Sequence, residues 1–419
     1  MTAVLSSQGR QRLAERALAH PVRTLLLAYA ASRLIGLVAL WAAATFAQNP
    51  AGVGHLHPNV WDMFGLWDGT WYARVARDGY PVPIPTDPDT GRITYSTWAF
   101  YPAFPMLLRA LTALGLPFVL TGVVLNVLIG AAATVVVWAV LRQGAHASRQ
   151  PARERLALVG AMLWCLHPAT TVLLQPYSEA LAVLLLGLCL VLLIRRHYLA
   201  VALVSLLLGL TRGVAPAIGV VILAHLWARW REDRAAGCPP LAGQRLSVVA
   251  MLFAGGVSGL IWPAYAGWVT GIPAAFFDVQ AAWGQRPADG PFVLWVTWAW
   301  GTKGLFSLAV LVACIGTYLA LVLGRHGRWL SVEARVWAVA YPLYMFAVVR
   351  PITSMWRFML LDFPVMALVA SVAMRTSTGA TVVPHWRRRV ALIVVVLVGG
   401  VLWWTCTIWP YTPWGSRPP

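Results

Sequence analysis

The sequence predicts an all-α polytopic membrane protein, and three observations carry that expectation. Of 419 residues, 59% are hydrophobic and only 11% are charged, with a mean hydropathy of +0.70; soluble domains carry about 25% charged residues. Apolar runs of about twenty residues recur along the chain, the length a helix needs to cross about 30 Å of hydrocarbon. The formal net charge of +18 resides on arginines in short segments between those runs. That is the positive-inside arrangement of a membrane protein, not the single basic face of a nucleic-acid binder. Lys303 is the sole lysine.

Taken in order, residues 1–24 form a basic, cytoplasmic N-terminus. No small-x-small cleavage site follows them, so the run 25–47 is expected to remain as the first span. About eleven spans are expected in all, at 25–47, 117–141, 156–173, 177–194, 198–211, 213–228, 246–270, 304–324, 333–349, 358–375 and 390–410. The runs 198–211 and 213–228 are short, divided by Thr211-Arg212-Gly213, and read as two tilted helices or a re-entrant pair. Arg142, Arg149, Arg153 and Arg155, then Arg195 and Arg196, Arg229 to Arg234, Arg325 with Arg328, and Arg387 to Arg389 mark inner segments. The loop 48–116, the loop 271–303, the turn Arg350 to Arg357 and the C-terminus from Trp409 onward then face outward. The five cysteines, Cys165, Cys189, Cys238, Cys314 and Cys406, show no metal-ligand spacing. Neither zinc nor structural disulfides are expected.

The first outer loop carries the chemistry. Five of the fourteen acidic residues fall in it: Asp62, Asp68, Asp78, Asp87 and Asp89. Asp68 lies in Trp67-Asp68-Gly69-Thr70-Trp71-Tyr72, and a carboxylate between aromatics at a membrane surface suits a general base acting on a lipid-linked substrate. An interfacial aromatic belt would give the same composition. Thr70 to Ala76 is expected to make one or two helical turns, stopped at Asp78-Gly79-Tyr80-Pro81. Residues 83–91 read as an excursion, and Phe100 to Leu114 as an interfacial helix. No Gly-rich phosphate loop follows a strand, so a soluble-type nucleotide-sugar site is not expected.

Further polar groups sit near the apolar runs. Arg74 and Arg77 follow Asp68; Asp278, Gln280, Trp283, Gln285 and Arg286 lie in the second outer loop; Arg350, Thr353, Ser354, Trp356 and Arg357 lie in the late turn. Arginine presents a planar fork that grips phosphate oxygens, although snorkelling to lipid headgroups would also place it there. Glu179 opens a span and Arg212 lies between two short ones; each is a functional candidate by its cost in a membrane, or the two form a structural pair. Asn126 is expected to bridge helices, and His167 to cap or kink a helix end.

These residues together resemble a known family. Trp67 to Tyr72 with Asp78-Gly79-Tyr80 resembles the first outer loop of PIG-V type mannosyltransferases, members of the GT-C class of integral-membrane glycosyltransferases. Ala99-Phe100-Tyr101-Pro102-Ala103-Phe104-Pro105 looks like that family's aromatic-proline stretch. Gln175-Pro176-Tyr177-Ser178-Glu179 is similar to its short motif before a span, and Leu210-Thr211-Arg212-Gly213 to its Thr-Arg motif, with Gly213 where proline is common. Thr353 to Pro364, with Trp356-Arg357-Phe358, looks like its late outer turn.

The resemblance implies a GT-C type architecture and transfer of mannose, or a similar hexose, from a polyprenyl-phosphate carrier on the outer face, with inversion and without a nucleotide. It makes Asp68 the catalytic base. Asp62, Trp67, Trp71, Tyr72, Arg74, Tyr101, Glu179, Arg212, Arg350, Trp356 and Arg357 become the expected substrate contacts. A divalent metal is not expected, since Asp62 and Asp68 do not form an Asp-x-Asp pair. The arginine-heavy composition suits a bacterial inner membrane, with an envelope glycolipid, polysaccharide or protein as acceptor. The alternative is a multi-span transporter or flippase of lipid-linked sugars, which would not need an acid-bearing aromatic outer loop.

Overall fold

Helices build the protein, and among the described residues no β-strand forms, only the isolated bridges Thr86–Ile93 and Arg375–Val382. The computed structural model describes residues 18–48, 58–146, 151–239, 241, 243–285, 290–375 and 382–409. Arg10, Arg12, Arg16, Arg149 and Arg286, and the C-terminus beyond Trp409, lie outside the described residues. The chain runs α1 (Pro21–Phe46), α2 (Asp68–Asp78), α3 (Ala103–Thr112), α4 (Phe118–His146), α5 (Pro151–Trp164), α6 (Glu179–Ile194), α7 (Tyr198–Gly209), α8 (Ala215–Ala235), α9 (Arg245–Ser258), α10 (Ile261–Thr270), α11 (Ala275–Ala282), α12 (Val293–Lys303), α13 (Leu305–Leu323), α14 (Val332–Val348), α15 (Met355–Phe358), α16 (Pro364–Met374) and α17 (Trp386–Ile408).

Four of these, α1, α4 to Gln143, α13 and α17, are long and apolar enough to cross a bilayer. Two bent pairs bring the number to six if each is one span: α9 with α10, bent by 51°, and the segment Met355–Leu361 with α16, bent by 82°. This is therefore a helical membrane protein. Its apolar side chains need not all face inward, because lipid covers them: Leu305, Phe306 and Val312 of α13 are 61–71% exposed. Proline opens α1 and α16 at their first turns, where its missing N–H costs nothing. Ser331 caps α14 by accepting from the Ala334 N–H.

The core holds α4, α5, α6 and α16, with α1 and α17 on one flank and α7, α8 and α14 on the other. Small residues let these helices approach: a Cβ added at Gly160 of α5 would meet the Ala367 backbone of α16 at 3.0 Å. Buried polar groups fasten the core. Arg33 of α1, 5% exposed, donates to the Thr170 carbonyl at 2.7 Å. Asn126 of α4 donates to the Gln175 carbonyl and, at 2.7 Å, to that of Tyr177. It therefore bridges to the segment before α6. His167 lies just beyond α5, where its Nδ1 accepts from the Ala169 N–H at 3.2 Å.

From residue 58 onward the first loop is more ordered than its composition suggests. The expected turn or two at Thr70–Ala76 is an eleven-residue helix, α2, because Asp68 opens it and Gly79 at φ +76° stops it. The expected helix from Phe100 to Leu114 is shorter, α3, because Pro102 sets its start. The 83–91 excursion folds back: Asp87 Oδ1 accepts from the N–H groups of Asp89 and Thr90, and Thr86 bridges to Ile93.

Candidate active site

Four charged side chains from four distant segments meet at one end of the bundle. Arg357 Nη2 lies 2.5 Å from Asp68 Oδ2, and Arg357 Nη1 lies 3.3 Å from Glu179 Oε1. Arg212 Nη1 lies 2.9 Å from the same Glu179 oxygen. The chain of contacts is Asp68–Arg357–Glu179–Arg212. Two carboxylates and two guanidiniums sum to zero charge, which is what permits them to share so dry a place. Glu179 is fully buried, Arg357 is 6% exposed, and Asp68 and Arg212 are the most open at 14% and 16%.

Local structure places each one. Trp67 takes φ +56°, a conformation uncommon for a bulky residue and one that marks a constrained site. The turn it makes puts Asp68 at the first position of α2, where the helix dipole favours an anion. Glu179 is the first residue of α6, set by Gln175-Pro176-Tyr177-Ser178. That segment is tied to the first loop: Gln175 Oε1 accepts from the Gly65 N–H at 2.9 Å, and the Tyr177 hydroxyl donates to the Leu66 carbonyl at 2.8 Å. Arg212 sits in the break between α7 and α8. Arg357 is on α15, held by indoles and a phenol: Trp164 and Trp337 donate to the carbonyls of Leu360 and Leu361, and Tyr341 to that of Phe358.

Aromatic rings wall the cluster. The Arg357 guanidinium lies 5.2 Å from the Tyr177 ring and 5.1 Å from Phe358; Arg212 lies 4.7 Å from Phe358. Such contacts favour a desolvated cation. The buried Tyr72 hydroxyl donates to Ser178 Oγ at 2.8 Å. Burial, followed by the Glu179 and Asp68 carboxylates, raises its pKa, so it remains a donor. Asp68 faces Arg357 through Oδ2 and keeps 14% of its side chain exposed.

Other expected residues lie around or away from this centre. Trp67 flanks Asp68. Trp71 stacks on Phe100 at 5.7 Å, meets Trp283 edge-on at 5.3 Å, and carries the exposed Arg74 over its ring at 4.6 Å. Tyr101 packs against Phe276, and its hydroxyl abuts Gly213, where an added Cβ would meet it at 2.5 Å; a larger residue there would displace one or the other. Asp62 does not join the cluster. It closes a capping box, accepting from the Asn59 N–H at 2.9 Å. Arg350 is exposed, its guanidinium against Gly284 and its N–H donating to Gln285 Oε1. Trp356 is 47% exposed and meets Trp403. Gln280 donates to the Ala99 carbonyl, tying the second loop to the first, and Asp278 faces solvent.

The sequence reading missed Tyr177, Ser178 and Phe358 as parts of the site, although each adjoins a named residue within the same motif. It also missed Asp362, 2% exposed, whose Oδ2 accepts from the Tyr318 hydroxyl at 2.6 Å; an acid inside an apolar run was its signal. Neither a family model nor a curated protein matches this chain.

Proposed function

We propose that the chain is an inverting glycosyltransferase that moves mannose, or a similar hexose, from a polyprenyl-phosphate carrier to an envelope glycolipid, polysaccharide or protein at the outer face of a bacterial inner membrane. The observation that carries this reading is the Asp68–Arg357–Glu179–Arg212 cluster, in which a carboxylate stands beside two guanidiniums at the end of a membrane bundle. Its four members are the acids and arginines of the motifs that resemble PIG-V type enzymes. The same reading counts α1, α4 to α8, the α9–α10 pair, α13, α14, the α15–α16 pair and α17 as about eleven crossings of GT-C type, with the cluster outside and the N-terminus inside.

The chemistry follows from the charges. The acceptor oxygen attacks the anomeric carbon of the sugar, the bond from that carbon to the phosphate oxygen breaks, and the polyprenyl phosphate leaves with the electron pair. The Asp68 carboxylate takes the acceptor's proton. Arg212 and Arg357 meet the charge that grows on the leaving phosphate. Because the four side chains already balance, an arriving phosphate must replace a carboxylate on a guanidinium. Exchange at Arg357 would free Asp68 just as the donor arrives, while buried Glu179 keeps both arginines in place. Purified protein incubated with radiolabelled polyprenyl-phosphate mannose and envelope acceptors is expected to transfer label. Absence of transfer to every acceptor class, with donor binding intact, would count against the proposal.

A further inference from the structure

A second feature lies away from the cluster. Along the seam of α8 and α14 an apolar groove of about 710 Å³ opens on the surface of the bundle, lined among others by Val220, Phe292, Leu323, Val339 and Leu343, with Arg335 of the first turn of α14 at one end. Val220 and Leu343 are each 50% exposed and Leu323 is 58% exposed, so the groove presents hydrocarbon to the bilayer. Arg335 stands in the first turn of α14 and Ala347 in the last, about 18 Å apart at 1.5 Å per residue. One leaflet contributes about 15 Å of hydrocarbon. The groove is therefore as long as one acyl chain in its own leaflet.

Arg335 is what makes the groove selective. The neighbouring acid, Glu333, is engaged: its Oε1 lies 2.6 Å from His225 Nδ1, and His225 Nε2 lies 3.2 Å from the Tyr198 hydroxyl. Other arginines of the same sequence class have acids, Arg229 with Asp233 at 2.9 Å and Arg142 with Glu154 at 3.2 Å. Arg335 has neither an ion pair nor a side-chain hydrogen bond among the described residues. A lone guanidinium at the mouth of an apolar groove complements a phosphodiester attached to an acyl chain.

We propose that this groove binds one anionic glycerophospholipid, its phosphate on Arg335 and an acyl chain along Val339 and Leu343. The site is independent of the proposed glycosyl transfer. It lies along the seam where α8 and α14 pack directly on each other.

The test is native mass spectrometry of the purified full chain in mixed micelles with equal phosphatidylglycerol and phosphatidylcholine. One phosphatidylglycerol is expected to be retained at least about tenfold over phosphatidylcholine, as one arginine–phosphate contact allows. Arg335→Gln should abolish the preference and Arg335→Lys should keep most of it. Val339→Trp should fill the groove and release the lipid, with gel filtration showing that each variant remains monodisperse. Equal retention of the two lipids, or an undiminished preference in Arg335→Gln, would overturn the proposal. So would competition by soluble glycerol phosphate, which would make the site one for free anions. A polyprenyl phosphate displaced by Val339→Trp yet indifferent to Arg335→Gln would assign the groove to a carrier lipid entering from the other end, and would equally overturn it.

Discussion

Asp62 and Asp68 are six residues apart and carry the same charge, yet their surroundings differ in kind. Asp62 satisfies the Asn59 N–H of a short helix, while Asp68 touches Arg357. Under the proposed reaction, Asp68→Asn should lower kcat by about 10²–10⁴ with KM little changed. Asp62→Ala should leave turnover near normal and cost about 1 kcal/mol, as cap losses do; transfer assays and thermal melts on both variants check this. The reverse pattern would move the base to Asp62. Arg357→Gln removes the guanidinium shared by two carboxylates and should destabilise the protein by roughly 3–5 kcal/mol, read as a fall in Tm without donor present. At this scale the motif residues were legible because their chemistry is unusual in a membrane. The Asn59-x-x-Asp62 spacing of a capping box was also legible and went unread. The Glu179–Arg212 pair was one of the two readings the sequence offered, and the structure shows it; the joining of Asp68 to Glu179 through Arg357 was not legible, since the three lie far apart in the chain.

At the scale of elements, the segment Gln175–Ser178 matters more than its length suggests. Asn126 holds its carbonyls from one side, and the first loop holds its side chains from the other. Asn126→Ala would remove the amide from both carbonyls; that of Gln175 keeps the Tyr177 N–H, while the loss at the Tyr177 carbonyl should cost about 1–3 kcal/mol if no water enters. It should also lower activity, because Glu179 follows this segment directly. Asn126→Gln, which keeps the amide but not its reach, should restore little; Tm and transfer rate measured together test both statements. The long helices stand where hydropathy places them, since a bilayer dictates length and apolarity. The 82° bend between α15 and α16 was legible only in part, in Pro364, which marks the start of α16. The partner that takes the Leu360 carbonyl there, the Trp164 indole, is 196 residues away and could not be read locally.

For the whole molecule, arginine placement predicts sidedness. An impermeant maleimide should label an Asp89→Cys variant in intact cells and should reach the native Cys238, which is exposed, only after permeabilisation. Labelling of both, or of Cys238 alone, would invert or dismiss the topology. The helical membrane class was legible from composition alone, because no soluble surface tolerates so much apolar area. The grouping of the first loop with the segment 271–285 was not, because it rests on contacts such as Gln280 with Ala99 between segments distant in the chain.

The order of the four charges along the chain also governs how the protein can be made. Glu179 and Arg212 emerge from the ribosome close together and can pair early, but Asp68 emerges first and its counter-ion Arg357 nearly last. Segments synthesised first can begin to fold before later ones emerge, yet this end of the bundle cannot close until Arg357 has been translated. A chain truncated before α15 would display an acidic group, unneutralised, beside half-packed helices. The arrival of α15 is thus written into the charge balance at this end of the bundle.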